Sequence, residues 1–283
     1  QDQQDQQDQQ DQQDQQDRPT TICIVGKPNA GKSTLSNQLT GKKISVVAKE
    51  AGTTTDTVSC IFKYKNKTYA LLDTAGLRKK NKIQDDVERF SSNQSIESIM
   101  KKNTIIIHMI DATQGVSDQD FRMVSVIERA RNKHIMVINK WDKLNSDQKN
   151  IYKKNITNIA KHRSYIPILF MSALENKTFS SLFKTLDRLS RQRAIPPMSY
   201  LTKIVSQITQ EHRPPLIQNK EIKIRVCYPT PNRFMSVTIQ GKRITKIPAS
   251  YKKYIENAMQ KMLNITGIRL EIVFKEDQNP YQN

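Results

Sequence analysis

The sequence predicts an α/β chain: a mostly parallel sheet with helices on both faces, followed by a small α+β domain. Three observations carry this expectation. Apolar runs such as "TICIVG", "NTIIIHMIDA" and "HIMVINKWD" alternate with helical stretches, the pattern of parallel strands buried on both sides. The first run leads at once into a Gly-rich turn, "GKPNAGKS", and a helix. Past "RAIPP" the alternation gives way to strands of period two, because Pro196 and Pro197 disfavour a continuous helix and a second domain begins.

In order, "TICIVG" reads as a buried strand, and the helix after the Gly-rich turn carries Leu35 and Leu39 on one face. "VSCIFKYKNKTYALLDT" reads as two strands around an Asn-Lys turn. "SDQDFRMVSVIERARN" reads as an amphipathic helix capped by Ser117, with Phe121, Val124, and Ile127 or Glu128 at helical spacing. "IPILFMSAL" is a strand and "TFSSLFKTLDRLSRQ" a closing helix. In the second domain Leu201, Ile204, Val205 and Ile208 form a helical stripe. "EIKIRVCY" turns Ile222, Ile224 and Val226 inward, and "RFMSVTIQ" is a second strand. "ASYKKYIENAMQKML" buries Tyr254, Ile255, Ala258, Met259 and Met262, and "IRLEIVFK" alternates again. The expected division is residues 1–17 as a disordered tail or linker remnant, 18–193 as the first domain and 194–283 as the second.

The 283 residues are 36% hydrophobic and 26% charged, and no window approaches 18 uninterrupted apolar residues, so a soluble cytoplasmic monomer without a membrane span is expected. The first 17 residues repeat Gln and Asp with no apolar side chain, and can bury nothing. Their six Asp conceal part of the basic excess behind the net charge of +19, which suggests a polyanionic partner such as nucleic acid; the richness in Lys, Asn and Ile of an AT-biased genome would give the same excess. Cys23, Cys60 and Cys227 show no metal-ligand spacing, and His108, His134, His162 and His212 form no cluster with them.

The chemistry lies in five motifs in register. Residues 26–33 fit the phosphate loop at every fixed position. Gly26 and Gly31 let the backbone curl around phosphates, with Lys27, Pro28, Asn29 and Ala30 as the loop between them. Lys32 sets a cation against the β- and γ-phosphates, and Ser33 offers a hydroxyl to Mg²⁺. "AGTTTD" stands where a switch segment belongs, with Thr54 as the second hydroxyl on Mg²⁺ and Thr53 or Thr55 as alternatives. "LLDTAGL" supplies Asp73 to hold Mg²⁺ through water, then Thr74, Ala75, Gly76, whose N–H senses the γ-phosphate, and Leu77. "NKWD" gives Asn139 to brace base and loop, Lys140 to lay its stem along the base, Trp141, and Asp142 to accept both N1–H and the 2-amino group of guanine. A backbone N–H of "SAL", which holds Ser172 and Ala173, faces the guanine carbonyl. Together these point to GTP or GDP with Mg²⁺ rather than ATP.

The spellings "KPNAGKST", "AGTTTD", "DTAGLRKK" followed by "FS", "NKWD" and "SAL", with "GVSDQD", "EHRPPL" and the closing "FKEDQNPY", resemble the EngA/Der family of bacterial GTPases over about residues 18–283. The likeness is to that family's second G domain and C-terminal KH-like domain. It implies a P-loop GTPase that hydrolyses GTP as a switch in late maturation of the large ribosomal subunit, binding rRNA and ribosomal proteins. Departures stand beside it. No first G domain is present, so the chain corresponds to a fragment or a reduced protein, with the Asp-Gln repeat in the place of an acidic linker. Thr55 replaces the family's usual Arg. The second domain holds only Gly241 and Gly267, so no G-x-x-G clamp on RNA is spelled, although Lys242, Arg243, Lys246, Lys252 and Lys253 offer a basic face.

Leu77 has neither donor nor acceptor to orient a water. Related GTPases with a hydrophobic residue there use a potassium ion near the phosphates, and Asn29 matches the asparagine that coordinates it. The resemblance therefore implies slow, potassium-stimulated hydrolysis in which Lys32, Thr54, Gly76 and Asn29 act on the phosphates. Two other readings remain: a GTP-binding scaffold without turnover, and a tRNA-modification or membrane GTPase of the same clan.

Overall fold

The computed structural model describes residues 19–41, 46–48, 58–72, 99–160, 163–175, 178–192 and 194–277. The chain divides into two compact units between Ser190 and Arg191.

The first unit is built on a seven-stranded sheet. In chain order it holds β1 (Thr20–Gly26), α1 (Lys32–Thr40), β2 (Val46–Ala48), β3 (Val58–Tyr64), β4 (Lys67–Leu72), β5 (Ile105–Asp111), α2 (Asp118–Ala130), β6 (Lys133–Asn139), α3 (Ser146–Ala160), β7 (Ile168–Phe170) and α4 (Phe179–Ser190). The sheet runs β2-β3-β4-β1-β5-β6-β7. Strands β4, β1, β5, β6 and β7 are parallel, while β2–β3 and β3–β4 pair antiparallel. Every residue of β5 is buried, which is why its sequence is apolar at all positions but His108 and Asp111 and does not alternate. One sheet face takes Ile22, Ile24, Ile107 and Met109 under Leu35 and Leu39 of α1 and Leu182 and Leu186 of α4. The opposite face takes Cys23, Val25 and Ile106 with Ile127 of α2, and Ile110 and Ile138 with Val124 of α2 and Ile156 of α3.

Several local expectations differ from the structure. The hairpin turn falls on Lys65 and Asn66, with Lys67 already in β4; Lys65 takes the positive φ of 53° that the reversal requires. The buried stripe of α2 is Asp120, Val124 and Ile127, with Phe121 only half-buried. Helix α3 has no counterpart in the sequence reading, because Ile151 is 60% exposed and the segment carries no apolar stripe.

The second unit holds α5 (Met198–Glu211), β8 (Lys223–Pro229), β9 (Ser236–Lys242), α6 (Ala249–Met262) and β10 (Glu271–Glu276), the expected helix-strand-strand-helix-strand order. β9 is central, antiparallel to β8 and parallel to β10. Leu201, Ile204, Val205 and Ile208 of α5 meet Val237 and Ile239 of β9 and Ile255 and Met259 of α6 in one core. The register of β8 shifts between Ile224 and Val226, so the alternation breaks: Cys227 is buried and Val226 half-buried. Met262, expected inside, is exposed, and Tyr251 is buried in α6 instead, its hydroxyl donating to the His212 carbonyl. Gly241 lies where a Cβ would come within 2.1 Å of the Lys223 carbonyl oxygen, so it serves close strand packing.

Candidate functional site

The parallel strands end along one edge of the first unit, where open α/β sheets gather their ligand residues. β1 ends at Gly26, β5 at Asp111, β6 at Asn139, and Ser172 follows β7.

The turn after β1 carries three positive φ angles, at Gly26, Asn29 and Gly31. Lys32 bends back so that Nζ donates to the carbonyls of Gly26 (2.9 Å) and Lys27 (2.7 Å), which fixes its ammonium inside the turn. Burial lowers its pKa below the usual lysine value. Helix α1 starts at Lys32 with no acidic residue in its first turn and no side chain capping it. Its N-terminal N–H groups and positive dipole end therefore face the turn uncompensated, an arrangement suited to an anion. Ser33 is exposed in that first turn, as are Pro28 and Asn29 in the loop, while Ala30 is buried.

Asn139, 2% exposed, is the hinge pin of the site. Its Nδ2 donates to the Ala30 carbonyl (2.8 Å) and its Oδ1 accepts from the Ala173 N–H (2.9 Å), so one side chain ties the loop after β1 to the segment after β7. A Cβ at Gly31 would lie 2.1 Å from that Nδ2, so only glycine leaves room for the brace. Lys140 follows with φ 59°, and Nζ donates to Asp111 Oδ2 at 2.6 Å. Oδ1 of Asp111 accepts from the N–H and hydroxyl of Thr113. Burial alone would raise the Asp111 pKa, but the bonds from Lys140 and Thr113 outweigh it and hold the carboxyl below its usual range. Trp141, half-buried against Phe170, and the exposed Asp142 form a short turn beyond. Ser172 is buried; its Oγ accepts from the Leu174 N–H at 3.4 Å and its carbonyl accepts from the Thr178 hydroxyl.

Residues 26–33, 139–142 and 172–173 are thus joined at one edge. Thr53, Thr54, Thr55, Asp73, Thr74, Ala75, Gly76 and Leu77 lie outside the described residues. Of the residues expected around a magnesium ion, Ser33 is described, and among the described residues no group of three acidic, His or Cys side chains is placed to hold a metal. Sequence reasoning missed Asp111, whose one signal is a carboxylate ending a mostly apolar strand, and it missed Asp120 as more than a helix residue.

In the second unit, Arg243 donates to the Glu221 carbonyl, Lys252 to the Thr245 carbonyl, and Lys253 pairs with Glu256. Lys242 and Lys246 are exposed.

Residues 21–140 match the family described as "50S ribosome-binding GTPase", and residues 197–275 match "KH-domain-like of EngA bacterial GTPase enzymes, C-terminal". Over 268 residues the chain is 34% identical to "GTPase Der" of Salmonella gallinarum, covering 94% of this chain and 54% of the relative. It has the same identity and coverage over 267 residues with "GTPase Der" of Escherichia fergusonii. The chain therefore spans about half the length of these curated relatives. Among solved structures, Era of Aquifex aeolicus bound to GDP and AlF4⁻ is 23% identical with a TM-score of 0.44, covering 92% of this chain and 94% of that one. Era in complex with MgGDPNP and 16S ribosomal RNA is 24% identical with a TM-score of 0.46, covering 93% and 94%.

Proposed function

From the premise that the chain belongs to the EngA/Der family of GTPases, with that family's GTPase domain and C-terminal KH-like domain, we propose that its first unit binds GTP and hydrolyses it to GDP and phosphate as a switch in ribosome assembly. The single observation that carries the reading is the bridge made by Asn139, which locks the anion-suited turn to the base-recognition segments. A ligand with phosphates at one end and guanine at the other fits that pairing.

In this reading the Gly26–Lys27 carbonyls hold Lys32 so that its remaining N–H addresses the β- and γ-phosphates, and no reorganisation is needed when charge develops there. Asp142 accepts from guanine, and an adenine leaves it unpaired. Lys140, pinned by Asp111, forms one wall of the base slot. Ser33, Thr54 and Asp73 would hold Mg²⁺, which supplies positive charge to the phosphates. Asn29 would hold K⁺, which would offset the charge developing on the phosphates in place of an arginine finger; with Leu77 unable to orient the water, backbone groups of the switches would hold it, and turnover is slow. The domain limits we propose are 18–193 for the G domain and 194–283 for the KH-like domain, after the Asp-Gln repeat of residues 1–17, which lies outside the described residues. The partner is the large ribosomal subunit, met by rRNA and ribosomal proteins in the cytoplasm by a monomer. The basic composition, with Lys242 and Lys246 exposed, supports an RNA partner.

Calorimetry in magnesium buffer tests the core of this. GDP and GTP bind, and ADP and ATP bind at least about 100-fold more weakly; equal affinities would overturn it. Single-turnover hydrolysis in KCl against NaCl tests the potassium role, with equal rates counting against it. The scaffold reading, favoured by Leu77 and by Thr55 in place of the usual Arg, holds if GTP binds and is never cleaved. Sedimentation with large ribosomal subunits in a non-hydrolysable GTP analogue tests the partner.

A further inference from the structure

Lys27 is the first variable residue of the phosphate loop, and backbone alone explains its neighbours. Its side chain has a separate destination. Nζ lies 3.1 Å from Asp120 Oδ2 and donates to Ser117 Oγ at 3.0 Å, with the Lys27 side chain 16% exposed and that of Asp120 1% exposed. Asp120 Oδ2 also accepts from the N–H and the hydroxyl of Ser117, both at 2.8 Å, as the third-residue partner of the capping box that starts α2. The other carboxylate oxygen, Oδ1, faces His108 Nε2 at 3.5 Å without hydrogen-bonding geometry. His108 lies on β5 opposite Val25, the residue before the loop begins.

A helix cap needs one acceptor and no cation, so capping leaves the half-buried Lys27 unexplained. Taking a lysine and a carboxylate out of water costs more than a surface pair returns, and such a pair persists where its geometry is used. The use is on the same residue: the main-chain carbonyl of Lys27 is the closer of the two acceptors that hold Lys32. We propose that Asp120 is a positioning residue for the triphosphate, acting in series through the side chain of Lys27, its carbonyl, and the ammonium of Lys32. The stretch from Asp111 to Asp120 then supports both ends of the cradle, since Asp111 holds Lys140 at the base end. This rests on the nucleotide-binding reading above and extends it to residues outside the nucleotide motifs.

The test is a set of four full-length variants, Lys27→Met, Lys27→Arg, Asp120→Asn and the Lys27→Met/Asp120→Asn double, assayed by competition for GTP, GDP and GMP in magnesium buffer. Lys27→Met leaves the capping box whole, so it decides the matter even if Asp120→Asn folds poorly; thermal unfolding without nucleotide reports folding separately. Because Lys32 addresses the β- and γ-phosphates, Lys27→Met and Asp120→Asn each weaken GTP and GDP by about tenfold, and the double variant is no worse than the weaker single. GMP, which has no β-phosphate, changes by less than about twofold, and Lys27→Arg, which keeps the cation, stays within about threefold of the parent. Affinities unchanged in both singles, additive losses in the double, or equal losses for GMP would each overturn the positioning role while leaving nucleotide binding intact. A parent chain that binds neither GTP nor GDP would instead bring down the nucleotide-binding reading, and this inference with it.

Discussion

The two units bury their polar groups in opposite ways. In the first, the buried polar residues include Asp111, Asp120, His108, His134 and Asn139, and the Asp residues are matched to Lys140 and Lys27 at the ligand edge. In the second, the buried polar side chains among the described residues are Ser236, Thr238 and Gln260, all uncharged. Gln260 illustrates that second kind. Its Nε2 donates to the carbonyls of Ile265 (2.7 Å) and Ile268 (3.0 Å), and its Oε1 accepts from the Leu270 N–H (2.7 Å), so it replaces a strand for three backbone groups in a loop. The ion pairs of that unit stay near the surface, as with Arg225–Asp277, whose Arg side chain is 59% exposed. Burying a charge is costly, so a unit that does it repeatedly along one edge is using the charges, whereas the core of the second unit manages with an amide and hydroxyls.

Three changes probe that contrast, the first with the largest effect. Lys32→Met removes the ammonium held by the Gly26 and Lys27 carbonyls, and GTP affinity falls by about 1,000-fold, read by calorimetry, with the fold kept. A loss below tenfold would mean that the buried cation does not meet the phosphates. Gln260→Leu leaves three backbone groups unpaired and costs about 3 kcal/mol in denaturant unfolding of the second unit, with nucleotide affinity unchanged. If nucleotide affinity followed, the division between a ligand-using unit and a self-contained one would fail.

The smallest effect is a pH dependence. His134 is stacked on His108 with ring centroids 5.6 Å apart, and none of the four ring nitrogens has a hydrogen-bond partner. Burial, with the nearby charges of His108 and Arg163, holds the His134 pKa well below 6.5. Above that value neither the folded nor the unfolded chain is protonated there, so nothing is lost. As pH falls below it, the unfolded chain takes up a proton that the folded chain refuses, and stability declines by about 1.4 kcal/mol per pH unit. Asp111 and Asp120, whose pKa values are lowered, add their own loss only in more acidic solution, where carboxylates take up protons. Thermal unfolding between about pH 6.5 and 5 should show the slope in the parent and a flatter one in His134→Phe; an unchanged slope would assign the proton to another group.

Much of the first unit was readable in the chain because its motifs are local. A phosphate turn demands glycine where a side chain would collide, as at Gly31 against Asn139, and a buried parallel strand demands an apolar run, as at residues 105–107. Helix α3 was not readable because, among its described side chains, Ile156 and Tyr152 meet the core while Ile151 lies in solvent. Cys227 changed places with Val226 because a register shift in β8 moves side chains across the sheet, and period two in the sequence cannot announce it.

By itself, then, the sequence determined the order of the strands and helices apart from β2 and α3, and the turns at residues 26–33 and 139–142, because these depend on neighbours a few residues away. Only the tertiary structure decided which charges meet. Lys27 and Asp120 are 93 residues apart in number and 3.1 Å apart in space, and Lys140 finds Asp111 through the pairing of β5 with β6. A carboxylate's role depends on the cation that packing brings to it, and that information is carried by strand order and register rather than by any local stretch of residues.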